Sequence, residues 1–185
     1  IAHVMLPGDF VSMKFTGNIT TSISSLSEGI FWDFKNNELS KDILNFYGFD
    51  QSVLPNIQPV FSHHGELLPE IAAKLNLKPG IPITYKAGDQ PNNALSLNVL
   101  EPGEVAATAG TSGVIYGVTE KITYDPQSRV NTFAHVNHTD QLNRLGVLLC
   151  INGTGILNSW VKKMVGAGND YPQMNQAASQ IQPGS

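Results

Sequence analysis

An α/β fold is predicted by three stretches of this sequence. Leu68-Pro-Glu-Ile-Ala-Ala-Lys-Leu75 has the composition and the opening proline of a helix. Ile81-Pro-Ile-Thr-Tyr-Lys86 alternates as a strand does, and Glu104 to Val118 reads as strand, tight turn, strand.

The remaining elements follow in chain order. Leu6-Pro-Gly-Asp9 predicts a short helix after Pro7, and Thr16-Gly-Asn18 predicts a turn. From Asp33 to Phe46, the apolar residues Phe34, Leu39, Ile43, Leu44 and Phe46 approach helical spacing, with Ser40 as an N-cap and Gly48 as a stop. Leu54 to Pro59 is a stiff connector. In the helix that begins at Leu68, Pro69 suits the first turn and Glu70 lies near the positive end. The strand through Lys86 stops at Ala87-Gly88, which puts Asp89 at a strand end. Pro91 to Leu100 is rich in small residues and helical, and Glu101-Pro-Gly103 turns the chain. A strand is expected over Arg144 to Ile151, then the turn Asn152-Gly-Thr-Gly155 and an amphipathic helix from Ile156 to about Val165.

The 185 residues are 41% apolar, enough for a core. Eleven Lys and Arg against 15 Asp and Glu give a formal charge of -4 with no basic run, which argues against nucleic acid and an anionic membrane surface as partners. No apolar stretch approaches the ~20 residues that span a bilayer, so a soluble protein is expected. Cys150 is the single cysteine and sits in the apolar run Leu145 to Ile151, so it is expected to pack as a small core residue in a reducing, cytoplasmic compartment. The Asn-x-Thr triplets at Asn18, Asn137 and Asn152 are read as chance, because nothing resembles a signal peptide. Ile1 opens within an apolar stretch and the end follows a helix-like segment, so the chain is expected to be an excerpt of a longer protein.

Three loops carry chemistry. Gly88-Asp89-Gln90, followed by Asn92 and Asn93, offers a carboxylate able to accept a proton from a bound hydroxyl, with amides to orient the ligand; an ordinary Gly-Asp turn is the competing reading. Gly110-Thr-Ser-Gly113 lies between two strands, where backbone N–H groups and hydroxyls can surround phosphate oxygens. It lacks the lysine and spacing of a Walker loop, and Val114 breaks the Gly-x-Ser-x-Gly pattern of a nucleophile elbow. A simple hairpin turn explains it as well. Asn152-Gly-Thr-Gly155 at a helix N-terminus has the form of an anion site, with plain helix capping as the alternative. His63-His64 and His135-x-x-His138 lack the partners and spacing of a metal site. Phe10, Phe15, Phe31, Trp32 and Phe34 are expected in the core rather than on a stacking platform, because no basic residues interleave with them.

The order and separation of these loops resemble the FGGY carbohydrate kinase family. The matching segments run from Leu6-Pro-Gly-Asp9 and Phe15-Thr-Gly17, through Leu54-Pro55, Gly65-Glu66, Leu75 to Gly80 and Ala87-Gly-Asp-Gln90, to Val99 to Gly103 and Ala109 to Val114. The resemblance covers about Leu6 to Val165. It implies a ribonuclease H-like (actin-like ATPase) fold in two domains with sugar and ATP meeting between them, of which residues 1–98 would be the C-terminal part of the sugar-binding first domain and residues 99–185 the N-terminal part of the ATP-binding second. It implies Asp89 as catalytic base and Gln90 as a sugar-contacting amide. It also implies that Gly110, Thr111 and Ser112 contact ATP phosphates and that Gly155 is a second nucleotide-side glycine. ATP and Mg²⁺ are the implied cofactors, a hinge is expected near Asn98, and a homodimer is compatible with the resemblance. The expected reaction is phosphorylation of a sugar hydroxyl, with D-xylulose as the first acceptor and glycerol or another polyol as the alternative; a non-catalytic actin-like sugar-binding module is the reading from another class. The family's N-terminal phosphate loop, early sugar-binding segment and adenine-binding loop do not occur here, so this piece alone is not expected to phosphorylate sugar.

Overall fold

The computed structural model describes residues 1–165, 168 and 170–184. The chain opens with α1 (Pro7–Thr16), β1 (Thr20–Thr21), α2 (Ile23–Glu28), β2 (Trp32–Asp33), β3 (Glu38–Leu39) and α3 (Lys41–Tyr47). It continues through β4 (Asn56–Ile57), β5 (Phe61–Glu66), α4 (Pro69–Leu75), β6 (Pro82–Tyr85) and α5 (Asp89–Ser96). Next come β7 (Val105–Ala109), β8 (Gly113–Thr119), β9 (Asn131–Ala134) and β10 (Leu145–Ile151), then α6 (Gly155–Met164) and α7 (Tyr171–Ala178). The mixed α/β class read from the sequence is the one observed.

The strands form small sheets. β1 pairs in parallel with β4, and β5 in antiparallel with β6. The larger sheet has the order β7-β8-β10-β9, with β10 and β9 antiparallel and Leu145 opposite Ala134. The strand at 81–86 and the hairpin at 104–118 stand where expected, as do the helices that follow Pro7 and Pro69. Asp33 to Leu39 lie ahead of the expected N-cap Ser40 and are not helical, although Phe34 and Leu39 share the helical spacing. β2 and β3 pair as a hairpin there, because the Asp33 carboxylate accepts from the backbone N–H of Lys35 at 2.8 Å and of Asn36 at 3.2 Å. That side chain replaces helical hydrogen bonds and turns the chain. The helix begins at Lys41 and ends at Gly48, whose φ of 66° terminates it as expected.

The packing divides into two compact units. One comprises Ile1–Ala106 with Tyr116–Leu148, and the other Ala107–Ile115 with Leu149–Ser185. In the first unit, Leu26, Leu44 and Leu54 form a core with Phe31, Trp32 and Phe49 against it. Phe10 departs from the core expectation and is 48% exposed.

The helix α2 is unusual in being buried through polar side chains. Ser22, Ser24, Ser25 and Ser27 are all buried, and their hydroxyls are used. Ser22 caps the helix by accepting from Ser25 N–H at 3.2 Å, Ser27 donates to Ser24 C=O at 2.8 Å, and Ser27 also accepts from Ala134 N–H at 2.8 Å. Satisfying each hydroxyl removes the penalty of burying it. Asp9 and Lys86 make a second buried polar pair in this unit, at 3.1 Å.

In the second unit, Cys150 is exposed, with its thiol toward Asn152 Oδ1 at 3.2 Å. The core expectation fails because the burial of β10 fades over its last residues, Cys150 and Ile151. Among the described residues, no helix is long and apolar enough to cross a membrane.

Candidate active site

Asp89 is the first residue of α5 rather than the end of a strand, since β6 stops at Tyr85 and Lys86 to Gly88 lead into the helix. The change follows from Gly88, which takes the extended N-cap conformation (φ -62°, ψ 160°) and lets the chain begin helical hydrogen bonding at once. A carboxylate in a first helical turn is favoured by the helix dipole. The Asp89 side chain is exposed, and Gln90 follows it in the same turn.

The backbone of this turn is held from α2. Glu28 Oε2 accepts from Asp89 N–H at 3.1 Å and Glu28 Oε1 from Gln90 N–H at 3.2 Å, while Ser24 Oγ accepts from Gly88 N–H at 3.1 Å. All three leading amides therefore have acceptors. Burial pushes the Glu28 carboxyl up to about 7, and the neighbouring Asp89 carboxyl, in hydrogen-bonding reach, adds to the rise. Asn92, one of the amides expected to orient a ligand, accepts from Tyr85 Oη at 2.9 Å.

The same unit holds a buried chain of hydrogen bonds whose tyrosine feels the Glu28 charge. Tyr116 and His135 are 2% and 0% exposed; the Tyr116 hydroxyl meets His135 Nδ1 at 3.0 Å, and His135 Nε2 reaches Val99 C=O at 2.9 Å. Because a carbonyl only accepts, Nε2 carries the proton and Nδ1 accepts from Tyr116. Burial, and then the Glu28 charge, raise the Tyr116 hydroxyl above its ordinary value. His64 is likewise bonded to a carbonyl, Val60 C=O at 3.1 Å. Among the described residues, no three His, Cys, Asp or Glu side chains come together as a metal set.

The second unit holds Gly110, Thr111, Ser112 and Gly155. Gly110 N–H closes the turn onto Ser112 C=O at 3.0 Å. Gly155 N–H donates to Gly110 C=O at 3.0 Å, Ile156 N–H to Thr111 C=O at 3.3 Å, and Thr154 Oγ1 to Gly110 C=O at 3.2 Å. The first amides of α6 are thus spent on the turn's carbonyls, which explains the glycine. A Cβ at residue 155 would overlap the Gly110 carbonyl oxygen.

The residues from the sequence reading therefore fall into two groups, Asp89 with Gln90 in one unit and Gly110 to Ser112 with Gly155 in the other. Glu28 and the serines of α2 were not anticipated. The one available signal, Ser22 followed by Ser25 as a cap, is too short to mark a helix that lacks an apolar stripe.

The model of the FGGY family of carbohydrate kinases, N-terminal domain, matches residues 1–96. Over 184 residues the chain is 28% identical to the xylulose kinase of Bacillus subtilis (strain 168), covering 100% of this chain and 36% of that protein. It is 26% identical over 163 residues to the gluconokinase of the same organism, covering 85% of this chain and 30% of that protein. The crystal structure of xylulose kinase from Rhodospirillum rubrum superposes with a TM-score of 0.85 at 24% identity, over 100% of this chain and 37% of that one. The chain thus spans about a third of the length of the relatives it matches. The fold is the ribonuclease H-like, actin-like ATPase fold of these sugar kinases, and with its family model matched over residues 1–96 the chain belongs to the FGGY family of carbohydrate kinases.

Proposed function

We propose that this chain is part of an ATP-dependent sugar kinase, in which Asp89 is the catalytic base, Gln90 a sugar-contacting amide, and D-xylulose the acceptor. The observation that carries the reading is the exposed Asp89 carboxylate at the start of α5, with its backbone amides held from α2. Residues 1–98 are assigned to the sugar-binding domain of the longer protein and residues 99–185 to the nucleotide-binding one, with a hinge near Asn98; the end of the family match at residue 96 supports that division, whereas the packing groups residues 99–106 and 116–148 with the first part.

Phosphoryl transfer demands little covalent chemistry of the protein, so the rate comes from aligning a hydroxyl with the γ-phosphorus and stabilising charge. Asp89 takes the hydroxyl proton as the oxygen attacks. Gly110, Thr111 and Ser112 contact the ATP phosphates, and Gly155 stands behind them as the nucleotide-side glycine. The fit of the turn to a phosphate rests on the Thr111 and Ser112 hydroxyls, which hold no hydrogen bond among the described residues. Mg²⁺, when bound with ATP, supplies charge neutralisation; no residue here is assigned to it.

D-Xylulose is favoured by the 28% identical xylulose kinase over the whole chain, and D-gluconate is the second acceptor because of the gluconokinase relative. The test is ADP release by protein from the complete gene, with D-xylulose, D-gluconate and glycerol. Sugar-dependent turnover is expected with D-xylulose, and Asp89→Asn is expected to lower kcat by about 10²–10⁴-fold with ATP binding intact. Turnover with none of the sugars removes the kinase reading, and a wild-type kcat in Asp89→Asn removes Asp89 from the mechanism.

A further inference from the structure

Glu28 sits where its charge is disfavoured three times over. It is partly withdrawn from water, it faces the Asp89 carboxyl, and it ends α2, where the helix dipole is negative and no basic residue occupies the last turn. Hydrogen bonds from Asp89 N–H at 3.1 Å and Gln90 N–H at 3.2 Å hold it there.

Gly88 is fitted to this carboxyl. Its φ of -62° and ψ of 160° are open to any residue, so conformation does not call for glycine. Space does: a Cβ at residue 88 would lie 2.5 and 2.6 Å from the two Glu28 oxygens. The glycine before the candidate base is therefore, in this chain, the seat of a carboxylate that reaches across from another helix.

We infer that Glu28 is a positioning residue of the sugar site, setting where the Asp89 carboxyl and the Gln90 amide stand toward the substrate hydroxyl by gripping the backbone that carries them. The inference rests on the reading of Asp89 as the base. Two acceptor oxygens serve two adjacent N–H donors. Glutamine at position 28 keeps one acceptor and turns its NH₂ group, a donor, toward the other amide. The first turn of α5 must then shift, and a shift of that kind reduces catalysis by misaligning the reacting groups.

The test is steady-state kinetics on protein from the complete gene, comparing wild type, Glu28→Gln, Gly88→Ala and Asp89→Asn, with thermal melts alongside. Glu28→Gln is expected to lower kcat about a hundredfold and to raise the sugar KM, leaving the ATP KM unchanged. Gly88→Ala displaces the same carboxyl without altering any ionisable group, and is expected to give the same split between sugar and ATP. A wild-type kcat and sugar KM in Glu28→Gln, in an enzyme that Asp89→Asn inactivates, overturns the inference alone. So does a loss that matches only the unfolded fraction in the melts, with both KM values unmoved. A wild-type kcat in Asp89→Asn overturns the base reading and this inference with it.

Discussion

Lys86 Nζ lies 3.1 Å from Asp9 Oδ1, with the two side chains 6% and 2% exposed, and so ties the strand end that leads to Asp89 onto α1. The ammonium also donates to Thr20 C=O at 2.6 Å and Thr20 Oγ1 at 2.8 Å, and Asp9 Oδ2 accepts from the Thr21 hydroxyl at 2.7 Å. Removing one partner strands the other charge in the interior, which is more damaging than removing both. Lys86→Met is therefore expected to destabilise by about 3–5 kcal/mol in urea denaturation, and Asp9→Leu with Lys86→Met together by clearly less than the sum of the single losses. Additive losses would show that the two charges do not depend on each other.

Gly88 and Glu28 are coupled by volume. Alanine at position 88 forces the Glu28 carboxyl off its amides, and leaving those N–H donors without their acceptors costs about 1–3 kcal/mol. Shortening Glu28 to alanine vacates the same space, so the double variant Gly88→Ala with Glu28→Ala is expected to be more stable than the two single losses add up to. Thermal denaturation of the four proteins measures the coupling, and strict additivity would mean that the carboxyl is not what excludes a side chain at 88.

The parts of this site that were legible in the sequence are those whose signal is local. Gly88-Asp89-Gln90 and Gly110 to Gly113 are short runs whose residue types declare their chemistry. Glu28 is 61 residues before Asp89, and nothing near it in sequence points there. Its helix, Ile23-Ser-Ser-Leu-Ser-Glu28, sends Leu26 into the hydrophobic core but is otherwise buried by hydrogen-bonded serines, so it shows no apolar stripe. The spacing of Phe34 and Leu39 matched that of the helix that starts at Lys41, yet these two residues belong to a hairpin region whose turn the Asp33 side chain holds by accepting from the backbone N–H of Lys35 and Asn36. Cys150 shows the same limit, since apolar neighbours in sequence do not say where burial fades along a strand.

The turn Gly110 to Ser112 depends on residues at the start of α6. A Cβ at Gly155 would meet the Gly110 carbonyl oxygen, a backbone atom that cannot swing aside as a side chain does. Gly155→Ala is expected to displace the turn and raise the ATP KM about tenfold or more, the equivalent of ~1.4 kcal/mol, with the sugar KM unchanged. Thr154→Val, which removes the hydroxyl bonded to Gly110 C=O at 3.2 Å, is expected to act in the same direction but more weakly. An unchanged ATP KM in Gly155→Ala would detach this turn from nucleotide binding.

The pH dependence of stability separates Glu28 from the buried histidines. Burial first, and the Asp89 carboxyl next, raise Glu28 from 4.5 to about 7, so the folded protein keeps a proton that the unfolded chain releases over that interval. The stabilisation from this group is complete below pH 4.5 and is lost as pH rises through about 7. His64, His135 and His138 act oppositely: burial lowers all three below 6.5, and the stability they confer as neutral groups is lost as pH falls below that value. Glutamine at position 28 does not titrate, and the histidines are common to both proteins and cancel in a comparison. The melting temperature of Glu28→Gln minus that of wild type is therefore expected to rise between about pH 5 and about pH 8, whatever its absolute value. A difference that stays flat across this range would mean that Glu28 ionises in the folded protein as it does in water, and that the Asp89 turn grips an ordinary surface carboxylate.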